Sequence, residues 1–202
     1  MAIHFTKEEF SIRKSKVVAE LKKQNLDAIL MFKQESMYWL TGYDTFGYVF
    51  FQTLILTSKG DIVLFTRAPD LRQAQNTSII KDIRIWVDNE NSNPSDELKN
   101  ILSELNLEKS NLGIEYEAYG LTGRNAIRLN NSLKEFLNIS LSKSGNPIDV
   151  TLIFLSIELS SYIIIEIILP KLVDQGNWSN TAAMSRQINA AILAVGPGSM
   201  AV

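Results

Sequence analysis

The sequence predicts an α/β domain, a mixed β-sheet with helices on both faces, extended by a C-terminal tail of different character. Three observations carry this reading. Segments with helical periodicity alternate with short strand-like segments up to residue 150, and one hairpin interrupts the alternation. The first strand is an unbroken apolar run, of the kind that is buried on both faces.

The first helix starts at Thr6. Thr6 and Glu9 have capping-box spacing, and Phe5 and Phe10 occupy the two positions of a hydrophobic staple. Phe10, Val17, Val18 and Leu21 form one apolar stripe, with lysines opposite, so the helix should run to Gln24. Residues 28–32 read as the buried strand. Ser36 is placed to cap a short helix over 37–40, which Gly42 ends. Residues 48–57 and 61–66, rich in β-branched and aromatic side chains, read as two strands joined by a Ser58-Lys59-Gly60 turn. Residues 70–75 read as a helix. Ile83, Ile85 and Val87 then alternate with Arg84, Trp86 and Asp88, the period of a strand with one buried face.

Asn93-Pro94 is a helix start, a cap followed by proline at the first helical position, and Asp96 and Glu97 suit the positive end of the dipole. Leu98, Ile101, Leu102 and Leu105 follow the i, i+3, i+4, i+7 rule. Residues 112–116 read as a strand, 122–133 as a helix and 139–141 as a short final strand.

Composition narrows the function classes. The 202 residues carry a formal charge of -2, which gives no electrostatic reason to expect nucleic acid or an anionic membrane as partner. There is no cysteine, which excludes disulfides and thiolate metal sites and fits a reducing cytoplasm. The N-terminus lacks a basic region followed by an apolar run, so no secretion signal is expected. The one histidine, His4, stands beside a terminus without convergent donors, and a solvated side chain is expected there rather than a metal ligand.

Three words in the chain are specific: Gln34-Glu35-Ser36-Met37-Tyr38-Trp39-Leu40-Thr41-Gly42-Tyr43; Thr66-Arg67-Ala68-Pro69-Asp70-Leu71-Arg72-Gln73; and Gly113-Ile114-Glu115 followed by Tyr119-Gly120-Leu121-Thr122. With these words, residues 1–150 resemble the N-terminal domain of the creatinase, prolidase and aminopeptidase P group, the pita-bread metallohydrolases that include Xaa-Pro peptidases. The resemblance implies a ribonuclease-H-like topology for this domain. It also implies that catalysis belongs to a separate C-terminal domain, which holds two divalent metal ions on two Asp, one His and two Glu.

After Val150 the texture changes. Residues 151–169 are almost continuously apolar, broken by Glu158 and Glu166, and the remainder is Asn-, Ala- and Ser-rich. Only Glu158, Glu166 and Asp174 supply carboxylates there, with no histidine, so the metal centre of the resembling family cannot be assembled from 151–202. The expectation is a divergent apolar tail, a frame-shifted or truncated remnant of the linker to the catalytic domain. Residues 151–169 approach the length of a membrane span, but each glutamate would cost roughly 2.5–3.5 kcal/mol near a helix centre, so no membrane insertion is expected.

Six residues are candidates for a substrate-gating role, as the resemblance implies for an intact relative: Tyr43, Asp44, Phe46, Tyr48, Arg67 and Arg72. In such relatives the segment equivalent to 43–48 tends to face the catalytic cleft of the neighbouring subunit. The competing expectation is that Phe46 and Tyr48 simply begin the next strand and pack. Arg67 and Arg72 could orient a carboxylate through bidentate contacts, and the alternative is an ion-paired helix start with Asp70. Glu115, Glu117 and Asp44 invite a metal-dependent nuclease reading, which the missing basic surface disfavours.

The expected function is therefore that of a non-catalytic, dimerising and gating N-terminal domain, inactive alone, with no catalytic residue, metal or cofactor of its own. The alternatives are an interaction module that forms mixed oligomers with full-length family hydrolases, and an autonomous hydrolase with an unrecognised site. Self-association as a homodimer is the expected partnership.

Overall fold

The computed structural model describes residues 4–90, 92–134 and 136, together with the backbone of 148–149. Thr6 caps α1 (Lys7–Lys23): its hydroxyl accepts from the Glu9 N–H at 3.2 Å. The Phe5 and Phe10 rings meet edge-on at 5.7 Å, completing the staple. The Glu9 carboxylate does not close the reciprocal half of a capping box; it pairs with Arg13, one turn on. Phe10, Val17 and Leu21 are buried, and Val18 is half-buried at the margin of the stripe.

The chain continues through β1 (Ala28–Met31), α2 (Gln34–Thr41), β2 (Thr53–Thr57), β3 (Ile62–Arg67), α3 (Leu71–Thr77), β4 (Asp82–Trp86), α4 (Pro94–Glu104), β5 (Leu112–Ile114), α5 (Gly123–Leu133) and β6 (Ile148–Asp149). The sheet order is β4-β3-β2-β1-β5-β6. β2 is antiparallel to both of its neighbours, and every other pairing is parallel. It follows that β1, β3, β4 and β5 all end on one edge of the sheet. The segments after them meet there, together with the segment that leads into β2.

Period-two alternation divides the core between two faces. Ala28, Leu30, Ile55, Val63 and Phe65 join Leu98, Leu102, Leu129 and Leu133, so α4 and α5 cover one face. The opposite set, Ile29, Met31, Leu54, Leu56 and Leu64, is equally buried under the remaining helices. Asn93 caps α4 by accepting from the Ser95 N–H, and Thr122 caps α5 by accepting from the Asn125 N–H. Among the described residues no helix is long and apolar enough to cross a membrane.

Three local expectations are corrected. Ser36 caps nothing: α2 begins at Gln34 with Lys33 in the capping position, and the Ser36 hydroxyl reaches across the fold instead. The segment 48–52 is not strand, because Gly47–Val49 forms a 3-10 turn and β2 begins only at Thr53. The Thr45 hydroxyl accepts the Gly47 N–H at 2.8 Å and the Phe50 N–H returns to the Gly47 carbonyl, so these backbone groups are used locally and cannot join the ladder.

The third correction concerns β4. The alternation is present, but the buried face belongs to Trp86, whereas Ile85 is 42% and Val87 59% exposed. Trp86 lies on the face covered by α4, and β4 is an edge strand of the sheet, paired only with β3. The strand expected at 139–141 and the tail 151–202 lie outside the described residues.

Candidate functional site

The carboxyl edge of the parallel strands is where open α/β sheets place their ligands. Here the crevice between β1 and β5 is filled by the protein itself. Glu115 follows β5 directly and is fully buried. One carboxylate oxygen accepts the backbone N–H groups of Phe32 (3.1 Å) and Lys33 (2.8 Å), and the other bonds the Ser36 hydroxyl at 2.6 Å. It therefore caps α2 from another strand, which explains why α2 needs no local cap. Burial pushes the Glu115 carboxyl above the usual carboxylate range, and the bonds from Ser36 and the two N–H groups oppose that rise.

Beside this plug, residues 43–51 cross the same edge. Tyr43 is buried, and its hydroxyl meets Gln52 at 3.0 Å and Thr66 at 3.3 Å. Burial raises its pKa, so the phenol stays neutral. Two glycines let the loop lie close to its support. A Cβ at Gly47 would stand 2.5 Å from an Asp70 carboxylate oxygen, and one at Gly120 would collide with the Phe50 carbonyl oxygen. The Trp86 indole N–H donates to the Phe51 carbonyl at 3.0 Å. Arg67 stacks on the Phe50 ring at 3.3 Å while pairing with Asp70 (3.3 Å) and, more loosely, with Asp88 (3.9 Å).

On this base the loop presents aromatic surface outward. Phe46 is 88% exposed, Tyr48, Val49 and Phe50 are each exposed, and Tyr119 (75% exposed) packs edge-on against Tyr48 at 5.7 Å. The cluster is an exposed apolar patch on a backbone held from below.

The six candidate residues thus separate by role. Phe46 and Tyr48 form the outward patch. Asp44 is exposed at its margin, where its side chain accepts from the Gln34 amide at 3.2 Å and its backbone engages the Thr77 hydroxyl. Tyr43 and Arg67 hold the loop from beneath, and Arg72 is exposed on α3. Tyr119, Gly47, Gly120 and Trp86 belong with them, and no periodicity in the sequence singles them out. Of the nuclease-type carboxylates, Glu115 is buried and engaged, while Glu117 and Asp44 are exposed. Among the described residues no three His, Asp or Glu side chains converge to hold a metal ion. His4 bonds the Tyr38 hydroxyl at 2.5 Å.

The Creatinase/Prolidase N-terminal domain profile matches residues 13–144, well over half of the chain. The chain belongs to this family. It is 28% identical over 126 residues to the ectoine hydrolase of Halomonas elongata, a match that takes in 59% of this chain and 32% of that protein. The chain thus spans about a third of the length of the curated relative it matches. In structure it is similar to a proline dipeptidase from Streptococcus pneumoniae, with a TM-score of 0.57 at 16% identity over 73% of this chain and 97% of that one. It is also similar to the N-terminal domain of a Xaa-Pro dipeptidase from Lactobacillus brevis, with a TM-score of 0.54 at 12% identity over 70% and 96%. At these identities the structural matches show the fold: the mixed sheet and its helices are those of creatinase N-terminal domains.

Proposed function

We propose that this family domain is the non-catalytic part of a Xaa-Pro peptidase- or creatinase-like metallohydrolase, that it serves dimerisation and closure of a catalytic cleft, and that the chain alone turns over no substrate. The observation that carries this reading is the aromatic loop. Phe46, Tyr48 and Tyr119 face outward while Tyr43, Arg67, Gly47 and Gly120 fix the backbone beneath them. A rigid apolar rim suits contact with a second subunit better than it suits bond-breaking chemistry, since it holds neither a nucleophile nor an exposed acid–base pair. The internal carboxylate of Glu115 supports the same reading, because it fills the crevice in which such folds receive ligands.

In the parent enzyme the reaction would be hydrolysis of an amide or similar C–N bond by metal-activated water in a separate domain. The names of similar proteins, ectoine hydrolase and proline dipeptidase, agree with that class. The absence of cysteine supports a reducing, cytoplasmic setting.

Sedimentation of the purified 202-residue chain, alone and mixed with a full-length hydrolase of the same family, tests the reading. The chain should associate with itself or with the hydrolase, and Phe46→Ser combined with Tyr119→Ser should weaken that association about tenfold. Association untouched by the double variant would remove the loop from the interface. Hydrolysis of a proline-containing dipeptide by the chain in the presence of Mn²⁺, at rates that scale with protein concentration, would make it an autonomous enzyme.

A further inference from the structure

The buried Glu115 carboxyl stands where the two halves of the aromatic face part. It holds the N–H groups of Phe32 and Lys33 and the Ser36 hydroxyl, and the residues flanking Lys33 each grasp one end of the loop. The Phe32 ring meets the Phe51 ring edge-on at 5.4 Å, and Phe51 packs in turn on Phe65 at 6.4 Å. The Gln34 amide donates to the Asp44 carboxylate at 3.2 Å. Both ends of residues 44–51 are thus tied to the stretch of backbone that Glu115 holds.

The chain leaving Glu115 carries the other half of the face. The Ala118 N–H donates to the Tyr116 carbonyl at 2.9 Å and the Leu121 N–H to the Ala118 carbonyl at 3.2 Å, while the Tyr116 hydroxyl donates to Asn130 at 2.6 Å. This closely turned segment brings Gly120 against the Phe50 carbonyl and Tyr119 against Tyr48. Helix formation alone does not ask for such a cap, since a serine or aspartate at position 33 would serve α2 locally. That position is lysine, and the acceptor comes from a residue 82 positions away. A buried carboxyl is a costly cap, and what it adds over a local one is a fixed spacing between the start of α2 and the end of β5.

We propose that Glu115 is the positioning residue of the aromatic face. By joining the start of α2 to the end of β5 it sets the register of Phe46 and Tyr48 against Tyr119, and through that register the fit of the face to a second subunit. The fit rests on the contact role proposed for the face, whereas the register is a property of this chain alone.

Nuclear Overhauser contacts between the rings of Tyr48 and Tyr119 read the register in the 202-residue chain, and sedimentation alone and with a full-length hydrolase of the family reads the fit. Glu115→Ala should lose the ring contact and weaken association about tenfold. Glu115→Gln, whose oxygen can accept both N–H groups while its nitrogen donates to Ser36, should restore both readouts. Glu115→Asp, one methylene shorter, should restore neither. Leu21→Ala opens a cavity under α1 and destabilises the fold without touching the junction, so it should leave contact and association as in the parent chain. If Glu115→Ala does not fold, Ser36→Ala, which removes one of the three bonds, should still weaken association about threefold and reduce the ring contact. The proposal is overturned if folded Glu115→Ala keeps the Tyr48–Tyr119 contact, if Glu115→Gln fails to restore it, or if Leu21→Ala loses it equally. A parent chain that associates with nothing would overturn the contact role of the face instead, and the ring contact would still decide the role of Glu115.

Discussion

The segments on either side of α2 are both pinned at the carboxyl edge of the sheet, and they are pinned to opposite ends. Before the helix, Phe32 and Lys33 give their N–H groups to the buried Glu115, and nothing of that junction is offered to solvent except the lysine side chain. After the helix, Gly42 turns the chain with a left-handed φ of 78°, and the backbone from 43 to 51 is fixed from beneath by the buried Tyr43 and Phe51 while the rings of Phe46, Tyr48 and Phe50 are exposed. The first junction uses a buried carboxyl and its hydrogen bonds to hold the fold together. The second uses folded contacts to hold a surface in place. Similar rigidity therefore yields a structural lock in one place and a presented face in the other.

Glu115→Ala attacks the lock and should have the largest effect. It leaves two N–H groups and the Ser36 hydroxyl without their acceptor, costing about 3 kcal/mol, read as a fall in the urea midpoint. A loss below 1 kcal/mol would mean that water replaces the carboxylate. Gly120→Ala attacks the support of the presented face: the added methyl meets the Phe50 carbonyl, so the loop must shift, at a cost of about 1–3 kcal/mol. Thermal melts measure that cost, and a drop in proteolytic protection at 46–50 would show where the strain is released.

Glu115→Gln sharpens the comparison through pH. The amide can accept both N–H groups with its oxygen and donate to Ser36 with its nitrogen, so the geometry survives while titration is lost. Because the folded carboxyl titrates above its unfolded value, the native state binds the proton more tightly. The stabilisation is then fully present below the unfolded carboxylate range and is lost as pH rises through the raised folded value. Urea titrations from pH 4 upward should show this decline in the parent chain and a flatter profile in the variant. A decline of equal size in both would assign it to other groups. Phe46→Ser should have the smallest effect on stability, within about 0.5 kcal/mol, because the ring is already in solvent. A larger loss would show that the ring packs and is not presented.

How far each element could be read depended on how far away its partners lie. Thr6, Asn93 and Thr122 cap helices through donors two or three residues on, and the Ser58-Lys59-Gly60 turn closes a hairpin between neighbouring strands, so these features are written in consecutive residues. The same holds for the apolar stripe of α4, where Leu98, Ile101 and Leu102 are buried as the helical period requires. The family words at 34–43, 66–73 and 113–122 marked the region of the site, and Phe46 and Tyr48 were identified within it. Their exposure was not legible, since β-branched and aromatic composition describes a strand equally well whether or not its backbone is free to pair.

What the sequence determined by itself was therefore local: helix starts, the hairpin, the alternation along each strand and the membership of the domain in its family. Tertiary structure decided which face of that alternation is inside. Ile83, Ile85 and Val87 have the right period, yet β4 became an edge strand in which Trp86, on the side of α4, is buried, Ile83 is only half-buried and Ile85 is exposed. It also decided the partner of Ser36, a carboxylate 79 residues away, and the close passage of Gly120 beneath Phe50. Period and capping follow from backbone geometry within a few residues, whereas burial and long-range bonding exist only once the strands have taken their order in the sheet.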